Sequence, residues 1–142
     1  FTFTAEEDGK PVANRVQGGK RPRSSMAPTI VYDGAGRIVL VIGAAGGPTI
    51  PVQVARSIIG VVDFGMSARD ALGMPFIMSF GEAVLIEEGS ALEAMEPALK
   101  ALGHAAIRTG APPLKANALR RLPDGGWEVA IDPRLTRKLE YK

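Results

Sequence analysis

The pattern of apolar and polar positions changes period twice in the first half of the chain. Ile38-Val39-Leu40-Val41-Ile42 is apolar at every position, and a shorter run, Thr29-Ile30-Val31-Tyr32, precedes it across Asp33-Gly34-Ala35-Gly36. Such runs on either side of a glycine-rich turn predict a hairpin, with strands over 29–32 and 37–42. The second run lacks polar alternation, so burial on both faces is expected. Between about 49 and 63 the spacing becomes helical, with Ile50, Val54, Ile58, Val61 and Val62 near one stripe. Gln53, Arg56 and Ser57 are its few polar positions, which predicts packing on more than one side. Pro48 and Pro51 suit the first turn, where no intrahelical donor is lost, and Gly65 ends the helix.

Further on, Ser67-x-x-Asp70 reads as the capping box of a short helix stopped by Gly73 and Pro75. Strands are predicted over 76–78 and 84–87. Ser90 with Glu93 starts a helix running to Leu102 and closed by Gly103, with Pro97 bending it or marking a late start. Strands follow over 105–108, 116–121 and 127–131, the last two joined by the turn Leu122-Pro123-Asp124-Gly125-Gly126. At the other end, Phe1-Thr2-Phe3-Thr4 alternates like the end of a strand, and a chain opening in mid-strand is expected to belong to something longer. Residues 5–25, rich in glycine, proline and charge, read as a long functional or mobile loop. Helices lying between groups of strands predict an α+β fold.

Composition narrows the function classes. A chain of 142 residues holds one domain with a sizeable core, and 46% hydrophobic against 23% charged residues is globular composition. A net charge of +2 is too small to imply a nucleic-acid partner. Its positive charges are scattered, apart from Lys20, Arg21 and Arg23 and a mixed tail over 134–142. The absence of cysteine excludes disulfides, thiol nucleophiles and cysteine-based metal sites. The apolar runs are too short to span a bilayer, so no membrane partner is expected. No secretory signal pattern occurs within these residues.

Two segments carry candidate chemistry. In Lys20-Arg21-Pro22-Arg23-Ser24-Ser25-Met26-Ala27-Pro28-Thr29-Ile30-Val31, Ser24 and Ser25 either cap local backbone groups or bracket a carboxylate, biased by the three nearby cations. Gly43-Ala44-Ala45-Gly46-Gly47-Pro48-Thr49-Ile50 is a strand-to-helix junction. The Lys-Ser/Thr of a phosphate loop is missing, and the dinucleotide spacing fails. A tight structural turn and an oxyanion hole made of backbone N–H groups remain as readings. His104, the sole histidine, reads as a helix cap, without the order of a serine-histidine-aspartate triad. Glu87 and Glu88 are neighbours in a strand and point to opposite faces. Glu6-Glu7-Asp8 reads as a solvated loop and Trp127 as core. No metal or cofactor is expected.

Placed in order, the segments resemble the gamma-glutamyltranspeptidase family across nearly the whole chain. Residues 20–31 are similar to that family's Lys-Arg-Pro-x-Ser-Ser-Met-x-Pro-Thr-Ile-Val motif, and Gly43-x-x-Gly46-Gly47-x-x-Ile50 to its glycine motif. Val62-Asp63-Phe64-Gly65-Met66, Glu87-Glu88-Gly89, Gly103-His104 and Asp132-Pro133-Arg134 follow in family order. The resemblance implies the C-terminal portion of the small subunit, 1–142, within the αββα four-layer sandwich of an N-terminal-nucleophile hydrolase. It implies that Ser24 and Ser25 bind the donor α-carboxylate and that Gly46 and Gly47 form the oxyanion hole. The threonine nucleophile is expected upstream of Phe1, so the implied partners are the large subunit, the N-terminal part of the small subunit and a small gamma-glutamyl substrate. The family's usual setting suggests a periplasmic or secreted parent. A glutaryl-type acylase and a non-catalytic anion-binding domain are the alternatives. Two departures stand out: Phe76 follows Pro75 where the family commonly has arginine, and the tail only loosely follows the family ending, with Tyr141 at its aromatic position.

Overall fold

The computed structural model describes residues 1–135; Tyr141 lies outside them. A hairpin of β1 (Glu6–Glu7) and β2 (Lys10–Pro11) comes first. It turns through Asp8 and Gly9 at φ 50° and 69°, so the acidic run is the exposed strand β1 with Asp8 at the tip. Phe1–Thr4 forms no strand; Thr2 makes a single parallel bridge with Arg15. The predicted long loop over 5–25 is thus held near its start by a hairpin and a bridge.

β3 (Thr29–Tyr32) and β4 (Ile38–Ala45) form the predicted hairpin. Asp33 closes it by accepting from the Ala35 and Arg37 N–H groups and pairing with the Arg37 guanidinium. β8 (Lys115–Arg121) and β9 (Trp127–Ile131) complete a four-stranded antiparallel sheet in the order β3-β4-β8-β9. A 3₁₀ turn at Gly47–Thr49 leads into α1 (Ile50–Val62). α2 (Ala68–Gly73) is capped at Ser67, whose hydroxyl accepts from the Asp70 N–H at 3.0 Å, as the capping box predicts. A second cap comes from β9, where the Glu128 carboxylate accepts from the Ala68 and Arg69 N–H groups at 3.0 and 3.1 Å.

One face of this sheet meets the helices. Leu40 and Ile42 of β4, Ala116 and Ala118 of β8 and Ala130 of β9 pack against Ile50, Val54, Ala68 and Leu72. Alanines on β8 let the helices approach closely, and Gly60 of α1 leaves no room for a Cβ beside Ala71 and Met74. The opposite face carries the row Ile30, Val41, Leu119 and Val129, paired strand to strand. Val129 is 72% exposed, Ile30 50% and Leu119 40%. This corrects the expectation for β4: Leu40 and Ile42 are buried and Val39 packs against their cluster, but Val41 is only partly buried because it lies in the open row of the opposite face. Trp127 lies on the rim at 43% exposure under the Arg121 guanidinium, so it is not core.

A second sheet holds β5 (Ile77–Phe80), β6 (Ala83–Glu87) and β7 (Ala106–Gly110), with β5-β6 antiparallel and β6-β7 parallel. The parallel crossover is a 3₁₀ segment, Ala91–Met95, followed by α3 (Glu96–Ala101) with Pro97 in its first turn. Pro97 therefore marks a late start. The predicted Ser90 cap does not form: its hydroxyl donates to the Glu87 carbonyl, while Glu93 accepts from the Gly89 N–H. The two sheets are tied by Arg134, just beyond β9, which grips Glu87 at the end of β6. Arg134 also donates to the carbonyls of Leu72 and Met74 and to Asp132. Arg56 reaches the Pro75, Leu72 and Met74 carbonyls from the other side.

Candidate functional site

The site grows out of one end of the β3–β4 pair. Thr29 is set across from Ile42, so the segment entering β3 and the turn leaving β4 share that end. Ser24 and Ser25 lie in the first, and Gly46 and Gly47 in the second. Ser24 is exposed and its hydroxyl accepts from the Met26 N–H at 3.2 Å, which leaves the hydroxyl proton free to donate. Ser25 is half-buried. Arg21 and Arg23 are exposed, while Lys20 donates to the Ala13 carbonyl at 2.9 Å.

The glycine turn needs its glycines for different reasons. Gly46 has φ 135°, and a Cβ there would lie 2.5 Å from both the Pro113 carbonyl oxygen and Thr49 Oγ1. Gly47 has φ 58° and open space around its α-carbon. Neither N–H has an acceptor among the described residues. Both glycine amides thus sit unpaired at the start of a helical turn, where backbone donors favour negative charge.

The turn is held from behind by two buried side chains that the sequence did not single out for a role. Gln53, 2% exposed, donates through Nε2 to the Ala45 carbonyl at 3.0 Å and to Thr49 Oγ1 at 2.8 Å. Its Oε1 accepts from the Lys115 N–H of β8 at 2.9 Å. Thr49, fully buried, donates to the Gly46 carbonyl at 3.1 Å. The available signal was a polar pair four residues apart, one helical turn, immediately after the glycines.

Other candidates fall elsewhere. His104 is exposed, and its backbone N–H, not its ring, caps the Leu99 carbonyl at 3.1 Å. Glu88 is exposed, whereas Glu87 binds Arg134 and the Phe76 N–H. Burial raises the Glu87 pKa, but the Arg134 hydrogen bonds and charge, the Phe76 N–H and Arg56 outweigh it and hold the carboxyl below its ordinary value. Burial and the neighbouring Arg134 push Arg56 down to about 10. Phe76, at the place of the family's arginine, is fully buried with Arg56 over its ring at 5.5 Å.

Residues 1–141 match the sequence model of the gamma-glutamyltranspeptidase family. The chain belongs to that family. Over 63 residues it is 43% identical to a glutathione hydrolase proenzyme of Arthroderma benhamiae, covering 44% of this chain and 11% of that protein. It is 33% identical over 107 residues to the acylase ACY 1 proenzyme of Pseudomonas sp., covering 75% and 19%. The gamma-glutamyltranspeptidase of Pseudomonas nitroreducens, solved in complex with L-DON, superposes with a TM-score of 0.73 at 27% identity, over 87% of this chain and 65% of that one. The chain therefore spans between about a tenth and a fifth of these two curated relatives' length. Its α+β fold is part of the N-terminal-nucleophile hydrolase αββα sandwich, with α1 and α2 over the β3-β4-β8-β9 sheet supplying one helical layer and one sheet layer.

Proposed function

We propose that this chain supplies part of the active site of an enzyme that transfers or hydrolyses gamma-glutamyl groups of glutathione-type donors through an acyl-enzyme. The observation that carries this reading is the pair of unpaired glycine N–H groups leaving the same end of the β3–β4 hairpin as the two serines. Ser24 and Ser25 donate to the donor's α-carboxylate, with Arg21 and Arg23 biasing the local potential. Gly46 and Gly47 receive the oxyanion.

The nucleophile belongs to upstream sequence: an N-terminal threonine whose own α-amino group takes the hydroxyl proton. Its oxygen bonds to the gamma-carbonyl carbon. The tetrahedral intermediate then collapses, the C–N bond breaks, and the leaving amine departs with the proton. Water or an acceptor amine resolves the ester. The partners are therefore the large subunit and the N-terminal part of the small subunit, whose strands would cover the open face of the β3-β4-β8-β9 sheet. A glutaryl-type acylase is the second reading, favoured by the likeness to the acylase ACY 1 proenzyme and by Phe76 in place of arginine.

Hydrolysis of a chromogenic gamma-glutamyl anilide tests the reading. The intact protein with its upstream part turns the anilide over, and residues 1–142 alone do not: among the described hydroxyls Ser67 is bonded to a carboxylate, Asp70 at 2.7 Å, and it is held as the α2 cap. Turnover by the purified 142-residue chain, abolished by His104→Ala, would overturn the assignment. Preference for a glutaryl amide over a gamma-glutamyl amide would move it to the acylase class.

A further inference from the structure

We propose that Gln53 and Thr49 form a positioning pair that aims the Gly46 and Gly47 N–H groups outward; the proposal rests on the oxyanion reading above. In a trans peptide the carbonyl and the N–H of one plane point in opposite directions, and the chain has no cis bonds among the described residues. The Ala45 carbonyl shares its plane with the Gly46 N–H, and the Gly46 carbonyl with the Gly47 N–H. Gln53 Nε2 holds the first carbonyl at 3.0 Å and Thr49 Oγ1 the second at 3.1 Å, both from the buried start of α1. Each N–H is therefore turned to the opposite side.

Glycine makes this restraint necessary. The peptide between Gly46 and Gly47 is flanked by two residues without Cβ atoms, so its plane can rotate at little steric cost. Rotated, it would present a carbonyl to a developing negative charge. The pair opposes this with every polar hydrogen committed: Gln53 Nε2 bonds the Ala45 carbonyl and Thr49 Oγ1, and the Thr49 hydroxyl proton bonds the Gly46 carbonyl, reinforcing the longer bond of 3.4 Å from the Thr49 backbone N–H. The orientation of the carboxamide follows from the Lys115 N–H, which can only donate and so selects Oε1. Through that bond the turn is referenced to β8, a central strand of the sheet. Both side chains are buried, so water cannot take over either bond.

The test is steady-state kinetics on a gamma-glutamyl anilide in the intact protein, with circular dichroism as the check on folding. Gln53→Leu and the near-isosteric Thr49→Val are expected to lower kcat by about ten- to a hundredfold, somewhat less than deletion of an oxyanion donor, with donor KM changed by less than about threefold. Thr49→Ser keeps the hydroxyl and recovers most of the rate lost in Thr49→Val. The double variant loses less than the product of the two single effects, because the side chains act through one hydrogen-bonded unit. An amide-to-ester exchange at Gly47, placing glycolate there, separates the two levels of the argument, since it deletes the N–H and leaves the pair in place. Folded Gln53 and Thr49 variants with wild-type kcat, or with KM raised and kcat unchanged, would overturn the positioning role while a slow ester keeps the oxyanion reading. A full-rate ester would overturn both. Thr49→Val changes shape least and keeps the test decisive where Gln53→Leu does not fold.

Discussion

Arg134 and Glu87 face each other through two parallel hydrogen bonds, Nε to Oε1 at 2.6 Å and Nη2 to Oε2 at 2.7 Å. The pair joins residues 47 positions apart and locks the end of the second sheet to the segment leaving the first. Around it, Arg134 and Arg56 satisfy the carbonyls of the α2–β5 turn, and the Phe76 N–H fills a further lone pair of Glu87. A fork-to-fork guanidinium-carboxylate contact, partly shielded from water, has a defined geometry that a surface ion pair lacks.

Arg134→Met would strip both guanidinium bonds from the Glu87 carboxylate, leaving it the Phe76 N–H, and would take one donor each from Asp132 and from the Leu72 and Met74 carbonyls that Arg56 also reaches. Removing one partner of a shielded pair costs about 3 kcal/mol or more, so denaturant unfolding at neutral pH should show a loss of that size. A loss under about 1 kcal/mol would class the contact with ordinary surface pairs.

Acid should weaken the same junction. Burial works to raise the pKa values of both Glu87 and Glu128. It is outweighed by Arg134, Arg56 and the Phe76 N–H at Glu87, and by the Ala68 and Arg69 N–H groups and Arg120 at Glu128. Both carboxyls therefore titrate below the ordinary glutamate range in the folded chain and return to it on unfolding. Their contribution is complete above that range and disappears as pH falls through the lower folded values. Thermal unfolding between pH 7 and pH 3 should show Glu87→Gln less stable at neutral pH, with a shallower acid decline than the parent. An acid decline as steep as the parent's would remove Glu87 from the account.

Ser24→Ala with Ser25→Ala should weaken donor binding in the intact protein. Hydrogen bonds to a charged group are worth roughly 1.5–3 kcal/mol, so donor KM should rise by about tenfold or more. An unchanged KM in a folded double variant would leave Ser24 as the cap of the Met26 N–H and nothing more.

The two glycines should respond differently to alanine. Gly47→Ala meets no atom and carries only the strain of φ 58°, about 1 kcal/mol. Gly46→Ala adds clashes at 2.5 Å with the Pro113 carbonyl and Thr49 Oγ1, for a total of about 3 kcal/mol. Equal losses in thermal unfolding would mean that the β4–α1 turn relaxes freely. Proline at Gly47 is a poor probe of the N–H, because its ring cannot adopt φ 58°.

The open face of the β3-β4-β8-β9 sheet should make the 142-residue chain self-associate. Val129 is the most exposed member of the Ile30-Val41-Leu119-Val129 row and lies on edge strand β9. Val129→Lys should shift size-exclusion elution toward a smaller species, with stability within about 0.5 kcal/mol of the parent. Identical elution of the two chains would place the contact elsewhere.

Local information determined the elements. Asp33-Gly34-Ala35-Gly36, Ser67-x-x-Asp70, Pro97 and Leu122–Gly126 act within a few residues of themselves, so the β3–β4 and β8–β9 hairpins and the α2 cap were legible from the chain alone, and Pro97 left a bend or a late start, of which α3 took the second. The family motifs at residues 20–31 and 43–50 were legible for the same reason: each is a contiguous stretch. What lies on either side of a strand is not local. The apolar run at β4 implied two covered faces, but among residues 1–135 only the face toward α1 and α2 is covered. Ser90 and Glu93 had the spacing of a capping box, yet the 3₁₀ turn gives the Glu93 N–H to the Ser90 carbonyl instead of its hydroxyl. Tertiary structure alone set Gln53 behind the glycine turn, Glu128 on the N-terminus of α2 and Arg134 against Glu87. Each of these is a polar side chain whose partner lies on another element, or across a turn that only the folded backbone closes. A sequence records that such a residue is polar; its partner is decided when packing removes water and leaves one donor or acceptor within reach.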